Sequence, residues 1–301
     1  MMKAVKALTI TYLTPISFAS LNGSDKEADN ISSIKKLSRG TEQFPYGSSQ
    51  WVRRALRDQL ANMGWPSSEG VAASISKGAA TTQQKPAKYI DDDLFGYMGT
   101  EKGGESSKGS SITRTSPVRV SPLVAMNKYE GDLDFGTNYM GVKAGGNPNI
   151  FETEIHSGIY RGTLMIELDR VGCGDGFDDK EELTPDKRCK RVEGLLDAFK
   201  NLWSSGRQTR FLADISPKFI AAALLTAKNP IFLESVLPTA KGVKIETLNE
   251  VIQDFDAEIK EFTFGARKSI FSELPSDTVS IGEAFKAMKN WMQTYYSPRG
   301  A

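Results

Sequence analysis

Cysteine is scarce in this chain. Cys173 and Cys189 stand alone, without a CxxC pair and without histidines at ligand spacing. That excludes a disulfide framework or a structural zinc site from consideration and points to a reduced, cytoplasmic protein. Histidine is scarcer still. His156 is the single one, and no GxSxG motif or neighbouring cysteine accompanies it, so structural or ligand-facing roles rank above general-base work. The Gly145-Gly146 pair opens no GxGxxG or GK[ST] motif between a strand and a helix, which removes the dinucleotide and P-loop classes. No apolar run approaches the length of a membrane-spanning helix, and no membrane partner is expected. The N-terminus, MMKAVKALTITYLTPISFASLNG, places lysines before apolar residues as a signal peptide does. Its Thr9, Thr11, Thr14 and Pro15 suit a β-strand better.

Net charge is nearly absent too, at +1 over 301 residues. A nucleic-acid site must therefore be a local patch. The acids gather at Glu167, Asp169, Asp175, Asp178, Asp179, Glu181, Glu182 and Asp186. The bases gather earlier: between residues 35 and 57, Glu42 is the only acid, against Lys35, Lys36, Arg39, Arg53, Arg54 and Arg57. The run GSSQWVRRALRDQLANMG within this stretch reads as a helix over Ser49 to Met63, striped by Trp51, Val52, Ala55, Leu56, Leu60 and Met63 and closed by Gly64. A helix N-terminus offers free amides and the positive end of the macrodipole. Ser48 and Ser49 hydroxyls beside arginines make a cradle for a phosphate backbone. The arginines diverge around the helix, so they cannot all meet one phosphate.

The length allows two domains or one elaborated domain. Residues 3–14 read as a strand, and SPVRVSPLVAM as a second with edge or bulge prolines. Residues 127–153, rich in glycine and asparagine between two strands, read as a protruding hairpin. Tyr160, Gly162, Leu164, Ile166 and Leu168 then alternate with Arg161, Thr163, Met165, Glu167 and Asp169, predicting a strand with one wet face. Helices are predicted from Pro185 to Ser205, around Leu248 to Ile259, and after a capping box at Ser280 and Glu283; Ile231 to Val236 reads as a strand. The order strand, helix, strand, strand, helix, strand is that of an α+β, ferredoxin-like or RNA-recognition-type domain with an antiparallel sheet. Expected units are a first part with basic loop and helix (1–64), an insertion with a mobile loop (65–115), a strand (116–126), the protruding hairpin (127–153), a second α+β part (154–236) and a C-terminal helical part (237–301).

Four features together resemble the DevR-type backbone subunits of type I CRISPR Cascade complexes, the Cas-seven family. They are the early strand ending in Ser20-Leu21-Asn22, the GSSQWVRRALRDQL helix, Asp-Leu-Phe-Gly at 93–96, and SPVRVSPLVA leading to the glycine-rich hairpin before ETEIHSGIYRGTL. They span residues 3–170; the C-terminal part fits more loosely. The resemblance implies a non-enzymatic subunit with an RNA-recognition-like palm (1–64, 116–126 and 154–236), a helical finger-type insertion (65–115) and a thumb hairpin (127–153), copies of which polymerise along a CRISPR RNA. The thumb of one copy displaces a base at intervals, leaving the others free to pair with target DNA. Implied partners are the CRISPR RNA, target DNA through the guide, further copies of the chain and other Cascade subunits, with no cofactor. By position, Asn22, Arg39, Gln50, Arg53 and Arg54 would line the palm, and Tyr139, Met140 and Lys143 would act in the thumb. The stacking aromatics of ordinary RNA-recognition motifs are absent from this sequence, which favours holding the backbone over stacking on bases.

Two other readings compete. Asp91, Asp92 and Asp93 invite a metal, as in a target-RNA-cleaving backbone nuclease of the type III kind, although the adjoining Leu94-Phe95-Gly96 looks like a packing element. A stand-alone ferredoxin-like regulator that binds nucleic acid is the third. The acids at 175–182 lack the order of an EF-hand and read as a solvated loop.

Overall fold

A computed structural model describes residues 4–23, 31–68, 82–100, 111–140, 142, 145–178, 180–203 and 211–297. The first half carries β1 (Ala7–Ala19), β2 (Ile31–Ser32), β3 (Lys36–Arg39), β4 (Glu42–Gly47), α1 (Ser49–Asn62), α2 (Ile90–Phe95), β5 (Tyr97–Thr100), β6 (Ser111–Arg114), β7 (Val118–Val120), β8 (Leu123–Ala125) and β9 (Asp132–Asn138). The second half carries β10 (Asn149–Glu167), α3 (Pro185–Lys200), β11 (Phe219–Leu225), α4 (Ile245–Asp254), β12 (Ile259–Ala266), β13 (Val279–Ser280) and α5 (Ile281–Tyr296).

The chain is α+β, built on one large and mostly antiparallel sheet. Along its main path the order is β13-β12-β11-β1-β10-β8-β4-β3, and β2, β7 and β9 join through β10. β1 lies at the centre, pairing antiparallel with β10 and β11 so that Ala7 faces Glu167 on one side and Leu225 on the other. Alternation sends Leu8, Ile10 and Tyr12 to one face, where they pack with Val52 and Leu56 of α1, Leu195 and Phe199 of α3, and Phe285 and Met288 of α5. On the other face Leu13, Phe219, Ala221 and Ala223 meet Phe232, Val236 and Leu248. A central strand covered twice needs no polar face, so β11 is buried at all seven positions.

Three sequence expectations are corrected here. Ile231 to Val236 is a turn, not a strand; its Ile231, Phe232 and Val236 are buried as loop side chains. The strand beside β1 is instead β11, FIAAALL, whose alanines hide its strand character while fitting it under cover on both faces. The predicted wet face of β10 is also largely covered. Arg161, Thr163 and Glu167 are buried, because the loop at 234–236 and neighbouring cations close over them. The helix expected to reach Ile259 ends at Asp254, and Ile259 opens β12.

In the segment 65–115, the described residues form the short α2 and the β5–β6 hairpin. In 237–301, β12 and β13 accompany α4 and α5. The hairpin expected at 127–153 is formed by β9 and the first part of β10, from Asn138↔Asn149 to Asp132↔Ile155. β10 then continues unbroken into the central sheet, so hairpin and sheet share one strand.

Candidate nucleic-acid interface

The entrance of α1 is built by residues from three elements. Ser48 is the N-cap, in extended geometry, and its Oγ accepts from the Trp51 amide at 3.3 Å. The Ser48 amide donates to Asn22 Oδ1 at 2.9 Å. The Lys35 amide donates to the Asn22 carbonyl at 2.9 Å, and the Tyr46 amide to the Lys35 carbonyl at 2.9 Å. Asn22, Lys35 and Ser48 are thereby tied into one corner, with Ser49 and Gln50 on the first turn. The Ser49 hydroxyl donates to Gln50 Oε1 at 3.1 Å. At this turn the amides of Ser49 and Gln50 have no acceptor four residues back in the helix.

The three helix arginines have separate surroundings. Arg54 points to solvent and pairs with Asp58 at 2.9 Å, one turn on. Arg57 lies over the Phe95 ring, 4.7 Å from its centroid, and so faces α2. Arg53 is half-buried, and its Nε is buried without a hydrogen-bond partner. Burial depresses its guanidinium first, and repulsion from Arg57 and Arg119 adds to that. Among the described residues no carboxylate pairs with Arg53.

The loop cations divide. Lys36 Nζ is held by Glu154 Oε1 at 2.6 Å and lies 4.5 Å from the Tyr129 ring centroid, at the base of the β9–β10 hairpin. Arg39, exposed at the end of β3, covers the Phe44 ring at 5.1 Å. At the other end of the hairpin, Tyr139 and Met140 are exposed, the latter at 87%. Lys143 lies outside the described residues, as do Arg207 and Arg210. Leu133, Phe135 and Ile150 add further exposed apolar surface along the same hairpin. Sequence spacing alone gave these no role.

Also missed was a pocket of about 310 Å³ at the hairpin base, lined by Asn127, Tyr129, Asp132, Ile155 and His156 among others. Asn127 fixes its wall: Oδ1 accepts from the Ile159 amide at 3.1 Å, and Nδ2 donates to the Ser157 carbonyl at 3.0 Å. The His156 ring packs between Tyr129 and Tyr160, with centroids at 6.1 and 5.6 Å. Burial lowers its pKa, opposed by the charges of Asp132 and Glu130. Arg119 is the other omission. Its alternation between Val118 and Val120 in SPVRVSP was a readable sign that it faces away from the core shared with α1.

The acidic triplet is buried entirely. Asp93 accepts from the Arg114 guanidinium, from Arg191 Nη1 at 2.5 Å and from the Gly172 amide at 3.0 Å. Asp91 accepts from the Ser68 amide at 2.8 Å and its hydroxyl at 2.6 Å. Asp92 accepts from the Lys85 amide at 2.9 Å; burial raises its pKa, while this bond and those from Thr82 and Ser68 oppose the rise. Asp93 is consumed in joining α2 to Arg114, to α3 and to the 170–175 loop, and Asp91 and Asp92 in tying α2 to Ser68 and Lys85 ahead of it. Among the described residues no group of histidine, cysteine or acidic side chains could hold a metal ion. No described helix is long and apolar enough to cross a membrane.

Comparison with known proteins agrees with this architecture. A curated relative, the CRISPR-associated protein Cas7/Cst2/DevR of Myxococcus xanthus (strain DK1622), is 27% identical over 272 residues, covering 85% of each chain. A chain of a solved CRISPR RNA-guided surveillance complex in a pre-nicking state matches with a TM-score of 0.61 and 14% identity, over 95% of this chain and 99% of that one. A second such complex gives a TM-score of 0.58, also at 14% identity and with the same coverage. At that identity the two matches speak for the fold. Residues 15–243 match the model of the CRISPR-associated negative auto-regulator DevR/Csa2 family, and the chain belongs to that family.

Proposed function

We propose that this chain is a non-catalytic backbone subunit of a type I Cascade complex, holding CRISPR RNA by its phosphates so that base edges stay free to pair with target DNA. The observation that carries this reading is Arg53, a half-buried cation with an unpartnered Nε and no carboxylate partner among the described residues, one turn into a helix whose entrance Asn22 and Ser48 fix in place. A cation kept partly desolvated without a counter-ion gains when a phosphate arrives. The order β11-β1-β10-β8, with α1 and α3 on one face, supports a ferredoxin-like palm. In this reading Asn22, Lys35, Arg39, Ser48, Ser49, Gln50, Arg53 and Arg54 form the palm surface. The exposed Tyr139 and Met140 at the end of the hairpin act as the thumb's apolar wedge against a base. Further copies of the chain and other Cascade subunits extend the filament along the guide in the cytoplasm.

Burial of Asp93 between two arginines disfavours the nuclease alternative, because metal-assisted cleavage needs a carboxylate that can reach both ion and substrate. The test is to purify the chain, with its partner subunits, from cells expressing a CRISPR array and sequence any RNA that accompanies it, beside an Arg53→Glu, Arg54→Glu double variant. Discrete guide-length RNA with the wild type, lost in a folded variant, is the expected result. Absence of RNA from the wild type would overturn the reading and favour the regulator, a role that the name of the matching family model also mentions.

A further inference from the structure

β7 is a strand of three residues whose described partner is β10 alone. Val118 enters the core shared with Val52 and Leu56, which seats α1 against this strand. The residues next in sequence, Arg53 after Val52 and Arg119 after Val118, consequently lie at the rim of that contact. Arg119 is opposite Met165 in register and therefore leaves β7 on the face away from α1. β7 therefore lies between the two side chains, and repulsion from Arg119 adds to the burial that lowers the Arg53 pKa.

Arg119 is tethered to Glu167, with Nε and Nη2 each 2.8 Å from Oε1. Yet Glu167 is over-supplied. Its Oε2 also receives Lys228 at 3.0 Å and Arg170 at 3.3 Å, so three cations share one buried carboxylate. Burial would raise the Glu167 pKa, but the hydrogen bonds from Lys228, Arg119 and Arg170 hold it below the usual carboxylate range. If Arg119 departs, Glu167 keeps two partners and is not left as an unpaired buried charge. Lys228 and Arg170 are the less exposed members of this group, while the Arg119 side chain is 49% exposed and the most free to turn.

We propose that Arg119 is a second phosphate ligand of the interface, parked on Glu167 in the free protein and turned around the open edge of β7 to share an RNA phosphodiester with Arg53. The inference rests on the RNA-holding reading above and adds an exchange: a carboxylate that stores a binding cation until the nucleic acid displaces it. No covalent chemistry is involved. The free protein avoids bringing two unneutralised guanidinium groups together, and the bound state places an anion between them.

The exchange is tested with the full chain, a fluorescent single-stranded RNA of guide length, and anisotropy titrations across about 50 to 200 mM salt. The wild type is compared with Arg53→Ala, Arg119→Ala and Lys228→Ala, and thermal unfolding is recorded for each. Both arginine variants are expected to lose affinity by roughly tenfold. Each should also lower the slope of log affinity against log salt by about 0.7, the value for one lost phosphate contact on a single strand. Lys228→Ala removes a partner from the same Glu167 and is expected to leave the slope unchanged. If Arg119→Ala instead behaves as Lys228→Ala does, shifting the melting temperature but not the slope, Arg119 is only a structural partner of Glu167 and the inference is overturned, while RNA holding stands. A wild type that binds no RNA at any salt overturns both.

Discussion

Individual side chains are where sequence and structure part most clearly. Arg53, Arg54 and Arg57 were legible as three positions on one helix, and their divergence follows from 100° per residue. That Arg54 meets Asp58, Arg57 meets Phe95 and Arg53 meets no counter-ion among the described residues depends on neighbours brought in by the fold, and only the Asp58 pairing was local enough to read. The same limit applied to Asp93. An acidic triplet reads as a metal site or a turn, and its true partners, Arg114 and Arg191, lie 21 and 98 residues away. Replacing Asp93 by Ala would strand two buried guanidinium groups, so chemical denaturation should show a loss of about 3–5 kcal/mol, far above the effect of a surface substitution. A loss below about 1 kcal/mol would contradict the pairing of Asp93 with Arg114 and Arg191. His156 gives a pH signature. Burial sets its folded pKa below the unfolded value of about 6.5, so the unfolded chain takes up the proton first as pH falls. Its contribution to stability is therefore complete above that value, declines as pH drops toward the folded pKa, and levels off beneath it. Urea midpoints measured from pH 7.5 to 5 should fall less steeply in His156→Gln than in the wild type.

At the scale of elements, local chemistry carried some assignments and tertiary context the others. α1, α3 and α5 announce themselves by apolar stripes and caps: Ser48, Thr184 and Ser280 each accept from a first-turn amide as N-caps do. For α5 the capping box is complete, with Glu283 returning a bond to the Ser280 amide at 2.9 Å. Ser280→Ala should cost about 1 kcal/mol in thermal or chemical unfolding, and Ser280→Thr much less. β11 left no such trace, since alanine has weak strand preference and the strand is defined by what covers it. β12 was absorbed into a helical stripe because Ile259 continues the spacing of Leu248, Val251, Ile252 and Phe255 after α4 has ended. The β9–β10 hairpin was visible from its glycines and asparagines. Its continuity with the central strand, which lets a load at its end reach the sheet directly, was not.

For the whole molecule, near-zero net charge conceals a division of labour. The basic corner at the entrance of α1 holds its cations with few local acids, while Arg119, Arg170 and Lys228 crowd around Glu167 on the neighbouring edge. Fold class and the place of the first basic helix were readable from pattern; the size of the sheet and the pocket at the hairpin base were not, because both arise from contacts between distant segments. The central claim is that RNA lies along the α1 entrance and meets the hairpin. Photo-crosslinking with 4-thiouridine-labelled guide RNA in the assembled complex, read by mass spectrometry, tests it most directly. The account predicts adducts on peptides containing residues 35–57, 119 and 133–142. Crosslinks confined to α4 and α5, with these peptides unmodified, would contradict it.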